Sequence, residues 1–323
     1  MDMILLLKIF TGFVIGTILV GSLPWPFGWV MKIRIAFVFA LGFFVLGVLS
    51  WPFVEPGDCR AAVTLFYGGV SFGDSLILAG IAFICGLAGY FLAWPHGRMV
   101  GPVCVPAGMA VWSVRSGNMS LLTRMNPGFE QRMALINSMK WEPFFWFFIV
   151  MAGFAGVWTA CILCGGGDGK TESLKKNLNR RYILNVIIAV AFATAAAKLL
   201  VSVLVTDVRV FLYKSPDVIS QPEIGQIVFG VVVTFGLVSY GVKRFLGMGW
   251  FWTALCSSLL IAYAAVFSLS PDQYHLFSLK APAGTYMDSV FSVLPVQMVS
   301  FGTLGALGGY WLAGRQRDSL MNR

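Results

Sequence analysis

Cys164 to Arg181 reads CGGGDGKTESLKKNLNRR, a basic, glycine-loosened stretch set between the apolar runs Pro143–Cys164 and Tyr182–Val205. Each flanking run holds about 20 apolar residues, the length a helix needs to cross a hydrocarbon core about 30 Å thick. Clustered lysine and arginine between two such runs marks a cytoplasmic loop, so this segment sets the sidedness of everything around it.

The same pattern recurs along the chain. The 323 residues are 58% hydrophobic and only 11% charged, with a mean hydropathy of +0.81. Soluble domains carry roughly 25% charged residues, so an ordinary soluble surface is excluded. The expected fold is all-α: a polytopic integral membrane protein forming a single membrane-embedded bundle of eight or nine helices. The spans are read at about 4–22, 33–53, 75–94, possibly 99–114, 143–164, 182–205, 224–242, 250–269 and 289–313.

Punctuation supports these bounds. Trp51-Pro52 and Trp94-Pro95 close runs, Leu23–Gly28 (LPWPFG) breaks the first, and Trp141 with Pro143 opens another. Tryptophan favours the headgroup level and proline ends or starts helices. Met99–Val114 is apolar but short and carries Pro102 and Pro106, so it reads as a broken crossing or a re-entrant segment. Beyond it Phe129, Met133 and Ile136 share a helical face, as in a short helix lying at the interface. Lys243-Arg244 reads as a short turn.

Orientation follows from the cations. With eight crossings the Lys and Arg of loops and tails divide 11 to 10, which is no bias. If Met99–Val114 also crosses they divide 13 inside to 8 outside, giving nine crossings with the N-terminus out and the C-terminus cytoplasmic. The net charge of +9 is spread in short clusters, so nucleic acid is not an expected partner and the lipid bilayer is. Compact loops point to a bacterial-type inner membrane. Asp2, in place of a basic leader, favours a retained first helix over a cleaved signal.

Chemistry-bearing motifs are sparse. GGGDGKT resembles a phosphate-binding loop, but Gly165 stands one residue too close to the Gly-Lys-Thr and no strand precedes it. Cys161 and Cys164 form one C-x-x-C on a helix end, two ligands short of a tetrahedral zinc site. Only His96 and His275 are present, both in connections, so no haem, metal or other cofactor is expected. All Asp and Glu residues read as lying in tails, connections or span edges, which argues against a proton pump.

Lys198 is the one cation well inside a span, about 6 Å from its middle at 1.5 Å per residue. Ala191, Ala195 and Lys198 share a face, on which an amine would attract an anion, or from which it would snorkel outward. In the last span Gln297 precedes Gly302, Gly305 and Gly309, and the spacing of Gly305 and Gly309 makes a small-xxx-small face fit for helix packing.

Two function classes remain from these residues. One is a non-catalytic membrane subunit or scaffold that meets membrane-protein partners through glycine-rich helix faces. The other is a small-solute or ion carrier or channel lined by Met99–Val114, Lys198 and the last helix. An enzyme is disfavoured, because no acid/base pair, nucleophile or metal cluster assembles from the sequence.

Overall fold

The computed structural model describes residues 29–57, 61–65, 70–117, 129–164, 180–205, 208–212, 215–220, 222–268 and 289–321, with 119, 122, 125 and 126. The first expected span and most of the central basic loop lie outside them. Ten α-helices are present among the described residues: α1 (Trp29–Leu41), α2 (Phe72–Leu92), α3 (Gly97–Val100), α4 (Cys104–Arg115), α5 (Phe129–Ser138), α6 (Glu142–Leu163), α7 (Arg180–Leu204), α8 (Ile224–Gly241), α9 (Trp250–Ser268) and α10 (Pro295–Met321). Among the described residues the architecture is helical, as the hydropathy pattern requires, apart from one antiparallel hairpin, β1 (Val208–Leu212) with β2 (Ser215–Ser220).

Among the described residues, five helical stretches are long and apolar enough to cross a membrane: Trp29–Leu49, Phe72–Leu92, Met133–Leu163, Tyr182–Leu204 and Ile224–Leu246. Trp250–Val266 is apolar but shorter. α10 is long enough, yet its glycines and the polar Gln297, Ser300 and Thr303 lower its hydropathy. Those three side chains are buried, so α10 is an interior helix, shielded by its neighbours.

Two boundaries differ from the sequence reading. Lys243-Arg244 is not a turn: α8 continues through them as π-helical turns, Val242–Leu246, and ends at Gly247 in the left-handed conformation (φ 67°). The run expected to begin at Ser289 opens with one 3-10 turn, Ser289–Ser292, before α10 starts at Pro295.

Chain contacts divide into two compact units. The first takes residues up to Phe53, Ser71–Arg115 and Ile149–Glu172; the second takes Val54–Val70, Ser116–Phe148 and Ser173–Arg323. α6 therefore contributes its first residues to the second unit and the remainder to the first.

In the first unit the Met99–Val114 region is broken, as its prolines require. It runs through α3, a 3-10 turn at Gly101–Val103 and α4. Its residues from Val100 to Met109 are buried. α1 continues as π-helical turns over Gly42–Leu49, and glycines let α4 lie against this stretch. A Cβ at Gly42 would collide with the Cys104 carbonyl, and one at Gly108 would stand 2.6 Å from the Gly42 carbonyl oxygen. Ser71 caps α2 in a reciprocal box: its hydroxyl accepts the Asp74 N–H at 3.1 Å, and the Asp74 carboxylate accepts the Ser71 N–H at 3.1 Å. At the other end of α2, Arg34 donates to the Trp94 carbonyl.

In the second unit α10 lies against α8 and α9. Gly305 and Gly309 face Val232 and Gly236 of α8, and Gly302 faces Ser257 of α9 with Phe235 of α8. The Ser239 hydroxyl donates to the Ala306 carbonyl at 2.7 Å, tying α8 to α10 at the same seam. α7 packs through Ala189, Ala193, Ala197 and Val201, spaced four apart along one face and all buried.

Candidate functional site

α6 starts where Pro143 can be accommodated without loss, since a proline in the first turn has no intrahelical hydrogen bond to forfeit. That start puts Glu142 in the first turn, and the structure buries its side chain completely. One helical turn on, the wholly buried Trp146 donates its indole N–H to Glu142 Oε1 at 3.1 Å. The Leu65 backbone amide lies beside the carboxyl. Glu142 Oε2 is buried with no hydrogen-bond partner.

Two further contacts join α9 to the start of α6. Ser258 of α9 donates to the Pro143 carbonyl at 3.2 Å, which brings α9 to the start of α6. The Phe147 and Phe251 rings meet at 5.8 Å between centroids. The sequence reading puts Glu142 at a span edge with the other acids, and it does lie in the first turn of α6; what that reading lacks is its burial, with half of its carboxyl unsatisfied.

The residues singled out from sequence fall elsewhere in the second unit. Lys198 is half-buried, its Nζ 5.1 Å from the centroid of the Tyr263 ring on α9. Ala191 and Ala195 are exposed, so the packing face of α7 is the one carrying Ala189, Ala193 and Ala197. The reason is the partition of side-chain size: Ile187, Phe192, Leu199 and Val203 point outward while the small residues take the inner face.

Gln297 is buried and turned back on its own helix start. Its Oε1 accepts the Leu294 N–H at 3.1 Å, half of a capping box around Pro295. Gly302, Gly305 and Gly309 are used in helix contact, while a Cβ at Gly308 would meet nothing within 4 Å. Cys161 and Cys164 are free thiols beside Tyr90, Leu87 and Val157. Among the described residues no group of three or more His, Cys, Asp or Glu could hold a metal ion.

No family model, curated protein or solved structure matches this chain. Its function is therefore argued from the arrangement alone. Within it Glu142 is the acid whose chemistry packing leaves incomplete. Three threonine hydroxyls, Thr234 of α8, Thr253 of α9 and Thr303 of α10, are likewise buried without a hydrogen-bond partner.

Proposed function

We propose that this chain is a polytopic integral membrane protein acting as a non-catalytic subunit or scaffold of a larger membrane assembly. The observation that carries the membrane reading is the outward face of its long helices. Phe37, Phe44, Ile84, Phe148, Phe192 and Phe229 are all exposed, on stretches that water would not tolerate and lipid would. The nine-crossing topology, N-terminus outside and C-terminus cytoplasmic in a bacterial-type inner membrane, is supported by the 13 to 8 division of cations.

The scaffold reading is supported by how the candidate path residues are engaged. Gly302, Gly305 and Gly309 pack against α8 and α9, Gln297 caps α10, and Lys198 lies over Tyr263. Side chains committed to packing and capping are poor ligands for a passing solute. The second reading, a small-solute or ion carrier, draws on Glu142, because ionisable groups inside membrane proteins commonly mark ion or substrate paths.

Purification of the full chain in mild detergent followed by mass spectrometry separates the two. The scaffold reading expects partner chains in fixed stoichiometry. A lone chain that moves ions or solute in liposomes would overturn it in favour of the carrier.

A further inference from the structure

We propose that Glu142 is an exchangeable cation site, its buried carboxylate neutralised by a monovalent cation that is either a proton or an alkali metal ion. An ionised carboxylate withdrawn from water without a counter-charge costs several kcal/mol even after relaxation. Trp146 and the Leu65 amide are neutral donors, and among the described residues no charged side chain contributes to the surroundings of the carboxyl. The amino end of α6 supplies at most about half a positive charge.

Oε2 supplies the independent observation. It is buried and has no partner, whereas nearly all buried polar atoms have one. Ionised, this oxygen is an unmet acceptor; protonated, the carboxyl carries a donor that also lacks a partner. A bound cation, or a proton with its accompanying water, resolves both deficits, and a packed apolar neighbour resolves neither.

Position makes the site exchangeable. Glu142 directly follows Trp141, which is 74% exposed, in the first turn of α6, where the Trp-Pro pattern of the sequence puts the headgroup level and its water. The site does not depend on whether the chain works alone or in a complex, so its failure would leave the scaffold reading standing.

The test is thermal unfolding of the purified full chain and its Glu142→Gln variant, from about pH 5 to about pH 9, in choline, sodium and potassium chloride at matched ionic strength. If the native state holds the proton, it binds more protons than the unfolded chain, and stability falls as pH rises. The wild type in choline should therefore lose several degrees of melting temperature toward alkaline pH, and Glu142→Gln should stay flat. Recovery in sodium or potassium identifies an alkali ion. No recovery, together with a carboxylic C=O infrared band that titrates and is missing from Glu142→Gln, identifies a proton. Superimposable wild-type and Glu142→Gln profiles in every salt, without such a band, overturn the proposal. Should Glu142→Gln fail to fold, the wild type decides: neither an alkali-dependent shift nor a titrating buried carboxyl band would be equally fatal.

Discussion

Gly309 of α10 lies so close to Gly236 of α8 that a Cβ at position 309 would collide with the Gly236 carbonyl oxygen. The reverse is not true: a Cβ at Gly236 would stand 3.6 Å from the Gly305 carbonyl oxygen, an ordinary contact. The seam is therefore intolerant on the α10 side only. Gly309→Ala and Gly305→Ala should each destabilise by about 1–3 kcal/mol, the usual cost of overpacking a well-filled core. Gly236→Ala and Gly308→Ala should be neutral or gain up to about 1 kcal/mol from helix propensity. Unfolding of the four variants in one detergent checks the ordering, and equal losses at 308 and 309 would contradict it.

The face of α7 offers a second discrimination. Ala193→Leu and Ala197→Leu place four-carbon side chains into buried positions and should each cost about 1–3 kcal/mol. Ala191→Leu and Ala195→Leu point outward and should change stability by less than about 0.5 kcal/mol. The same unfolding measurement reads both pairs.

Lys198 and Tyr263 should be energetically coupled. A cation 5.1 Å from an aromatic centroid, with both groups partly exposed, is worth about 0.5–1 kcal/mol. A double-mutant cycle with Lys198→Met and Tyr263→Leu measures that term directly. Coupling near zero would show that the lysine merely extends its stem past the ring.

These residues also show which parts of the fold could be read from sequence. The helices, the broken segment around Pro102 and the small-residue face of α10 each follow from a local pattern of hydropathy, proline or glycine spacing. The packing face of α7 does not, because Ala189, Ala191, Ala193, Ala195 and Ala197 offer two competing faces. The outward placement of Phe192, Leu199 and Val203 separates them, and large-out, small-in partition was the available signal. Burial of Glu142 has no local signature at all. It arises from Leu65 and from α9 through Ser258, which lie far away in sequence. The hairpin at 208–220 falls in the connection between the expected spans 182–205 and 224–242, where Val208 and Val210 flanking Arg209 carry a strand-like alternation.

The nine-crossing topology makes its own prediction at Asn118, which lies outside the described residues. A cysteine introduced there should react with an impermeant thiol reagent added to intact cells. Protection would restore eight crossings, with Met99–Val114 re-entrant.

Embedding in lipid is the premise beneath the topology and the scaffold reading, and alkaline carbonate extraction of isolated membranes tests it most directly. The chain should stay in the membrane pellet and enter solution only with detergent, because Phe37, Phe192, Phe229 and their neighbours would otherwise face water. Recovery of a folded monomer in the carbonate supernatant, stable in buffer without detergent, would contradict it.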